Sequence, residues 1–177
     1  MNKKTDKAQK KATYAFIDAS NIIYGARAEG WFIDQKKLFR YLKKKFSTSK
    51  AFFYYGKDSK NEKQEKFLKK LKTFGYALRV KAIKRFGERT KANCDVDLTM
   101  DMLLMENEYN RAIILTGDGD FAPLFSYLIS KRKKIVVISS PKRTAKEIRN
   151  LLGGGVLSFD DLRYLLEFKK DKKRGRP

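Results

Sequence analysis

The sequence predicts one α/β domain built on a mostly parallel sheet of about five strands, with helices on both faces. Two observations carry that expectation. Short apolar runs alternate with amphipathic stretches along the whole chain. The length of 177 residues suits a single continuous core.

Thr13 to Ile17 reads as a buried first strand that stops at Asp18. Gln35 to Phe46 places Leu38, Phe39, Leu42 and Phe46 at helical spacing between lysines. Ala51 to Tyr55 is aromatic and strand-like, and Glu62 to Phe74 is helical with Phe67, Leu68 and Leu71 on one side. Tyr76 to Val80 gives a third strand, and Lys81 to Lys91 a basic loop or hairpin around Gly87. Asp95 to Glu108 reads as a helix and Ala112 to Leu115 as a strand. Phe121 to Ser130 reads as a helix and Ile135 to Ser139 as a strand. Two short helices, near Thr144–Leu152 and Asp160–Phe168, flank Gly153-Gly154-Gly155, which reads as a flexible hinge.

The expected organisation is a basic disordered arm at 1–11, a folded domain at 12–168 and a basic disordered tail at 169–177. The single cysteine, Cys94, excludes an intrachain disulfide framework and suits a reducing compartment. No apolar run is long enough to span a membrane, and the basic start lacks the apolar core of a secretory signal. A cytoplasmic location is the expectation.

Net charge is +22. Residues 1–11 carry five Lys against one Asp, and residues 169–177 carry six Lys or Arg against one Asp. The body therefore keeps +13, a field that draws polyanions, with nucleic acid first among the candidates.

The stretch Thr116-Gly117-Asp118-Gly119-Asp120-Phe121 follows the strand at 112–115, which puts two carboxylates at the carboxyl edge of the sheet, where such folds hold ligands. Asp18 ends the first strand and Asn21 opens the turn after it. Cys94-Asp95-Val96-Asp97-Leu98 begins the helix at 95–108, with Asp101 further along. Each Asp taken alone also suits a helix cap or a turn. Three elements offering Asp at one edge suggest a shared cation, since clustered carboxylates raise one another's pKa unless a cation lies between them. The chain has no histidine and one cysteine, which disfavours zinc and suits the hard ions Mg²⁺ or Mn²⁺. Asp97, Asp101 and Glu108 share a helix face that also reads as a solvated stripe; Asp95 is angularly distinct and is the favoured ligand, with Asp101 second.

Phe-Ile-Asp-Ala-Ser-Asn (16–21), Cys-Asp-Val-Asp-Leu-Thr-Met-Asp-Met-Leu (94–103) and Thr-Gly-Asp-Gly-Asp-Phe-Ala-Pro-Leu (116–124), in this order, resemble the NYN family of PIN-like ribonucleases, especially its bacterial LabA-like branch. The resemblance covers about 13–168. It implies a Rossmann-like three-layer sandwich with an acidic pocket that binds Mg²⁺ or Mn²⁺ and cleaves RNA. Carried over by position, Asp18, Asp95, Asp118 and Asp120 would be catalytic and metal-binding, with Asn21, Thr116 and Asp101 in support. Ala19 stands where the family usually has glycine. Asn93-Cys94 replaces its Lys-Gly, which leaves the register at Asp95 versus Asp97 open.

Lys81, Lys84, Arg85, Arg89 and Lys91, with Phe86 between them, suit a groove that tracks a nucleic-acid strand, or else a solvated loop. Lys131 to Lys134 reads as a helix C-terminus, and Trp31 as core rather than a stacking platform.

The expected activity is metal-dependent endonucleolytic hydrolysis of single-stranded or flexible RNA. The alternative is a non-catalytic RNA- or DNA-binding regulatory module with a vestigial pocket. Phosphatase and receiver domains fit poorly, because Asp18 is followed by Ala19-Ser20 and Val80 by Lys81. Homodimerisation is left open.

Overall fold

The computed structural model describes residues 12–169 except 59, 87, 88 and 92, and the backbone alone at 84–86 and 89–91. Statements below concern those residues; the basic arm at 1–11 and the tail from 170 lie outside them.

Strand β1 (Ala12–Asp18) runs through the middle of the sheet and feeds helix α1 (Ala19–Ala28) directly. Then follow α2 (Gln35–Phe46), β2 (Thr48–Lys57), α3 (Glu62–Phe74) and β3 (Ala77–Ala82). A hairpin of β4 (Lys84–Phe86) and β5 (Arg89–Lys91) leads to α4 (Asp95–Leu104). The chain continues with β6 (Tyr109–Leu115), α5 (Ala122–Ser130), β7 (Lys134–Ser139), α6 (Lys146–Leu152), β8 (Val156–Ser158) and α7 (Arg163–Leu166).

The main sheet has six strands in the order β3-β2-β1-β6-β7-β8, and every neighbouring pair is parallel. The chain builds outward from β1 to β3, then returns to the other side of β1 with β6. The order therefore reverses between β1 and β6, and their carboxyl ends splay around the crevice where open α/β sheets bind ligands.

Successive strand residues face opposite layers. Ala15, Ile17, Phe53, Ile113 and Leu115 pack under α1, α2, α3 and α7. Tyr14, Phe16, Phe52, Tyr54 and Ile114 pack under α4, α5 and α6. With both faces covered, the central strands carry near-continuous apolar runs.

The sixth strand, β8, exceeds the expected number. It is three residues long and follows Gly153-Gly154-Gly155, which forms a 3₁₀ turn in place of the expected hinge. Helix α1 was not foreseen either. Its fully buried side consists of Ala19, Ile22, Gly25 and Ala26, three of them small, so its periodicity is faint in the sequence. The helices over 35–46 and 62–74 and the hairpin lie where the sequence places them. Helix α4 stops at Leu104, short of the expected 108.

Trp31 is buried and stacks on Phe159 with ring centroids 5.3 Å apart. Lys133, past the end of α5, donates through Nζ to the backbone carbonyl oxygens of Tyr109, at 2.9 Å, and Glu106. No helix among the described residues is long and apolar enough to cross a membrane.

Candidate functional site

Asp18 and Asn21 close the carboxyl end of β1. Asp18 Oδ1 accepts the Asn21 backbone N–H at 3.1 Å and so caps α1, a helix that starts without a loop. Asn21 then reaches across to β6, where its Oδ1 accepts the Gly117 N–H at 3.1 Å. Thr116, fully buried, donates its hydroxyl to Asp18 Oδ2 at 3.3 Å and accepts the Asp118 N–H at 3.3 Å. The ends of β1 and β6 are thus tied by side-chain bonds as well as by the sheet ladder.

Gly117 allows this closeness. A Cβ there would sit 2.4 Å from both the Arg143 carbonyl oxygen and Ser139 Oγ, inside any tolerable contact. Its own carbonyl accepts the Ala145 N–H at 2.9 Å. Asp118 Oδ1 accepts the Asp120 N–H at 3.0 Å, capping a 3₁₀ turn over Gly119–Phe121 and holding both carboxylates at the edge.

Asp95 arrives from the opposite layer. Cys94 occupies the cap position of α4 without a side-chain bond, and Asp95 stands in the first turn with its N–H on Asn93 Oδ1 at 2.7 Å. Its carboxyl is held above the usual range, first by burial and then, against a bond from Asn93, by the charges of Asp118 and Asp120. Asp18 is raised too, by burial first and also by the charge of Asp95, against hydrogen bonds from Asn21, Thr116 and Ser20. Asp95 thus feels the charge of Asp118 and Asp120, and Asp18 feels that of Asp95.

The other acidic residues of α4, and Glu108 beyond its end, are occupied elsewhere. Asp97 pairs with Lys81 Nζ at 2.7 Å. Asp101 accepts the Tyr54 hydroxyl at 2.9 Å and Arg79 Nε at 2.6 Å, so it braces α4 against β2 and β3. Glu108 takes Lys50 at 2.8 Å and the Tyr14 hydroxyl at 2.7 Å. Together they make a ladder of docking contacts to the sheet.

Lys81 is the basic-run residue whose side chain is described, and it is engaged by Asp97. The side chains of Lys84, Arg85, Arg89 and Lys91 lie outside the described ones. Burial pushes the Cys94 thiol up to about 11, so it is no nucleophile near neutral pH.

Two nearby residues escaped the sequence reading. Asn93 orients the start of α4. Glu147, in the first turn of α6, brings another carboxylate beside Gly119, where an added Cβ would lie 3.2 Å from its Oε2. In the sequence it looks like an ordinary helix-start acid.

The donor set is all oxygen, and no cation pairs with Asp18 among the described residues, which fits a hard divalent ion. The carboxylates are not yet gathered round one point: among the described residues no group of three or more His, Cys, Asp or Glu is arranged to hold a metal ion.

Residues 12–152 match the NYN domain family model, a span containing every one of these carboxylates. The chain belongs to the NYN family. Within it, the chain is 29% identical over 162 residues to the low amplitude and bright protein LabA of Synechococcus elongatus, covering 86% of each. Its fold is also that of a crystal structure of a protein of unknown function from Vibrio parahaemolyticus. That match has a TM-score of 0.78 and 23% identity and covers 92% of this chain and 99% of the other. The NYN assignment agrees with the order of the three acidic motifs.

Proposed function

We propose that this NYN protein is a metal-dependent endoribonuclease that hydrolyses phosphodiester bonds in single-stranded or flexible RNA. The observation that carries the reading is the tie made by Thr116, which bonds both Asp18 Oδ2 and the Asp118 N–H and so sets these two residues together where the strand order of the sheet reverses. Mg²⁺ or Mn²⁺ held by these four would supply the charge that activates a water and stabilises the departing oxygen. Thr116 and Asn21 keep Asp18 and the 116–118 loop in register, which limits reorganisation when a phosphate arrives. Asp120 pins one oxygen of Asp118 through its backbone N–H and leaves Oδ2 for the ligand. Asp101 supports the α4 side. Lys81, Lys84, Arg85, Arg89 and Lys91 would draw the RNA backbone towards the edge.

The test is cleavage of a labelled single-stranded RNA by purified protein with Mn²⁺ or Mg²⁺. Cleavage should be lost with chelator and in Asp118→Asn; full activity in that variant overturns the assignment. The ungathered carboxylates favour one competing reading, a binding module without catalysis. It requires salt-dependent RNA binding and no metal-dependent cleavage by the wild-type protein.

A further inference from the structure

A groove of about 500 Å³ opens beside the acidic edge, starting at Ala19 and Ser20, the residues directly after Asp18. It runs between α1, the end of β2 and the start of α3, with Phe32 on its wall. Three properties set it apart from a packing defect.

It keeps two large rings in water. Tyr24 is 62% exposed and Phe32 61% exposed, whereas the adjacent Trp31 is buried. The Arg27 guanidinium carbon lies 5.9 Å from the centroid of each ring, so a cation and two aromatic faces form one platform. Tyr55 adds a half-buried ring whose phenol is pushed up by burial and then by Tyr24.

The groove is also cationic, although it adjoins an acidic site. Its described lining includes Arg27 and Lys63 and no carboxylate. An anionic strand entering it meets attraction, and the ring faces accept any flat heterocycle.

Finally, one of its lining side chains carries a buried oxygen without a partner. Gln35, the first residue of α2, is 7% exposed, and its Oε1 is buried with no hydrogen-bond donor. Its backbone carbonyl accepts the Tyr76 hydroxyl at 2.9 Å, which leaves the side-chain Oε1 as the unmet atom. Gln35 also lines a smaller cleft that ends at Phe168. A buried amide oxygen without a donor is costly, and turning the side chain towards a ligand N–H in the groove would relieve it. Nucleobases carry such N–H groups on their Watson–Crick edges and pair well with amide side chains.

We propose that this groove binds an unpaired nucleobase of the RNA, stacked against Tyr24 and Phe32 with its polar edge on the Gln35 amide, next to the phosphate held at the acidic edge. This rests on the reading of the chain as an RNA-acting protein, and it names the part of the strand that the protein grips. The site would favour unpaired strands, because a base held in a duplex cannot present both its face and its edge.

The experiment measures fluorescence anisotropy of the full chain, in chelator, with labelled single-stranded oligomers of A, C, G or U. An abasic ribose-phosphate oligomer of equal length serves as control. Intact RNA should bind at least about tenfold more tightly than the abasic strand. Tyr24→Ala and Phe32→Ala should each lose about tenfold on intact RNA and leave abasic binding unchanged. Both side chains are exposed, so the melting temperature of each variant should match wild type. Gln35→Leu should flatten the preference among the four bases while keeping the stacking term. Equal affinity for abasic and intact strands, or unchanged affinity in Tyr24→Ala/Phe32→Ala, overturns the groove. Cleavage is scored separately: base-dependent binding without cleavage supports the groove and sinks the nuclease reading, and the reverse pattern does the opposite.

Discussion

Lys81 Nζ lies 2.7 Å from Asp97 Oδ2, an ion pair that occupies one of the two neighbouring carboxylates at the start of α4. Lys81 belongs to β3 and Asp97 to the first turn of α4, so the pair docks the helix start onto the sheet. Asp95, two residues earlier, feels the charge of Asp118 and Asp120, and less strongly that of Lys81.

The two carboxylates should therefore separate in a cleavage assay. Asp95→Asn should lower metal-dependent RNA cleavage about 100-fold or more, the scale of a lost electrostatic group in an active site. Asp97→Asn breaks only a half-exposed ion pair, worth about 1 kcal/mol or less, and should stay near wild type in rate. A collapse of activity in Asp97→Asn with full activity in Asp95→Asn would reverse the assignment.

Asp18 and Asp95 have raised pKa values in the folded protein, so their ionisation opposes folding. The folded state binds protons more tightly than the unfolded state. Their contribution is fully present below the unfolded carboxylate range near pH 4 and is lost as pH rises through the higher folded values. In chelator at neutral pH, Asp95→Asn should raise the melting temperature by a few degrees, and the gain should vanish at pH values below about 4.

Divalent ions should relieve the same repulsion. Mn²⁺ or Mg²⁺ should raise the wild-type melting temperature in a concentration-dependent way, as any ligand of the native state does. The increment should shrink in Asp118→Asn. An equal rise in both proteins would place the ion elsewhere.

Gly117→Ala should destabilise the fold by about 1–3 kcal/mol in urea denaturation, the usual range for forcing an extra methyl into a packed region. Backbone and side-chain oxygens meet the new Cβ at 2.4 Å, so the 116–118 loop must shift. The bonds from Asn21 Oδ1 and Thr116 Oγ1 into that loop should loosen with it, and activity should fall along with stability.

Tyr54→Phe should cost about 1 kcal/mol in the same measurement, the ordinary net value of one hydrogen bond. Tyr54 is nearly fully buried and donates to Asp101. Cleavage should persist, because Asp101 keeps Arg79 and α4 remains docked.

The sequence by itself determined the fold class, the bounds of α2 and α3, the basic body and the chain order of the acidic motifs. These are local or compositional properties: lysine-separated apolar residues at helical spacing specify a helix wherever it docks. It could not reveal α1, whose buried side is made of Ala19, Ile22 and Ala26, or β8, which exists as a strand because β7 pairs with it. Tertiary structure decided the rest. Asp97 and Asp101 differ from Asp95 because Lys81, Arg79 and Tyr54 come from other strands to meet them. Trp31 and Phe32 are neighbours of similar character, yet Phe159 covers one while the other faces water. Which charge stays free and which ring stays bare depends on partners distant in the chain, and no local spacing encodes them.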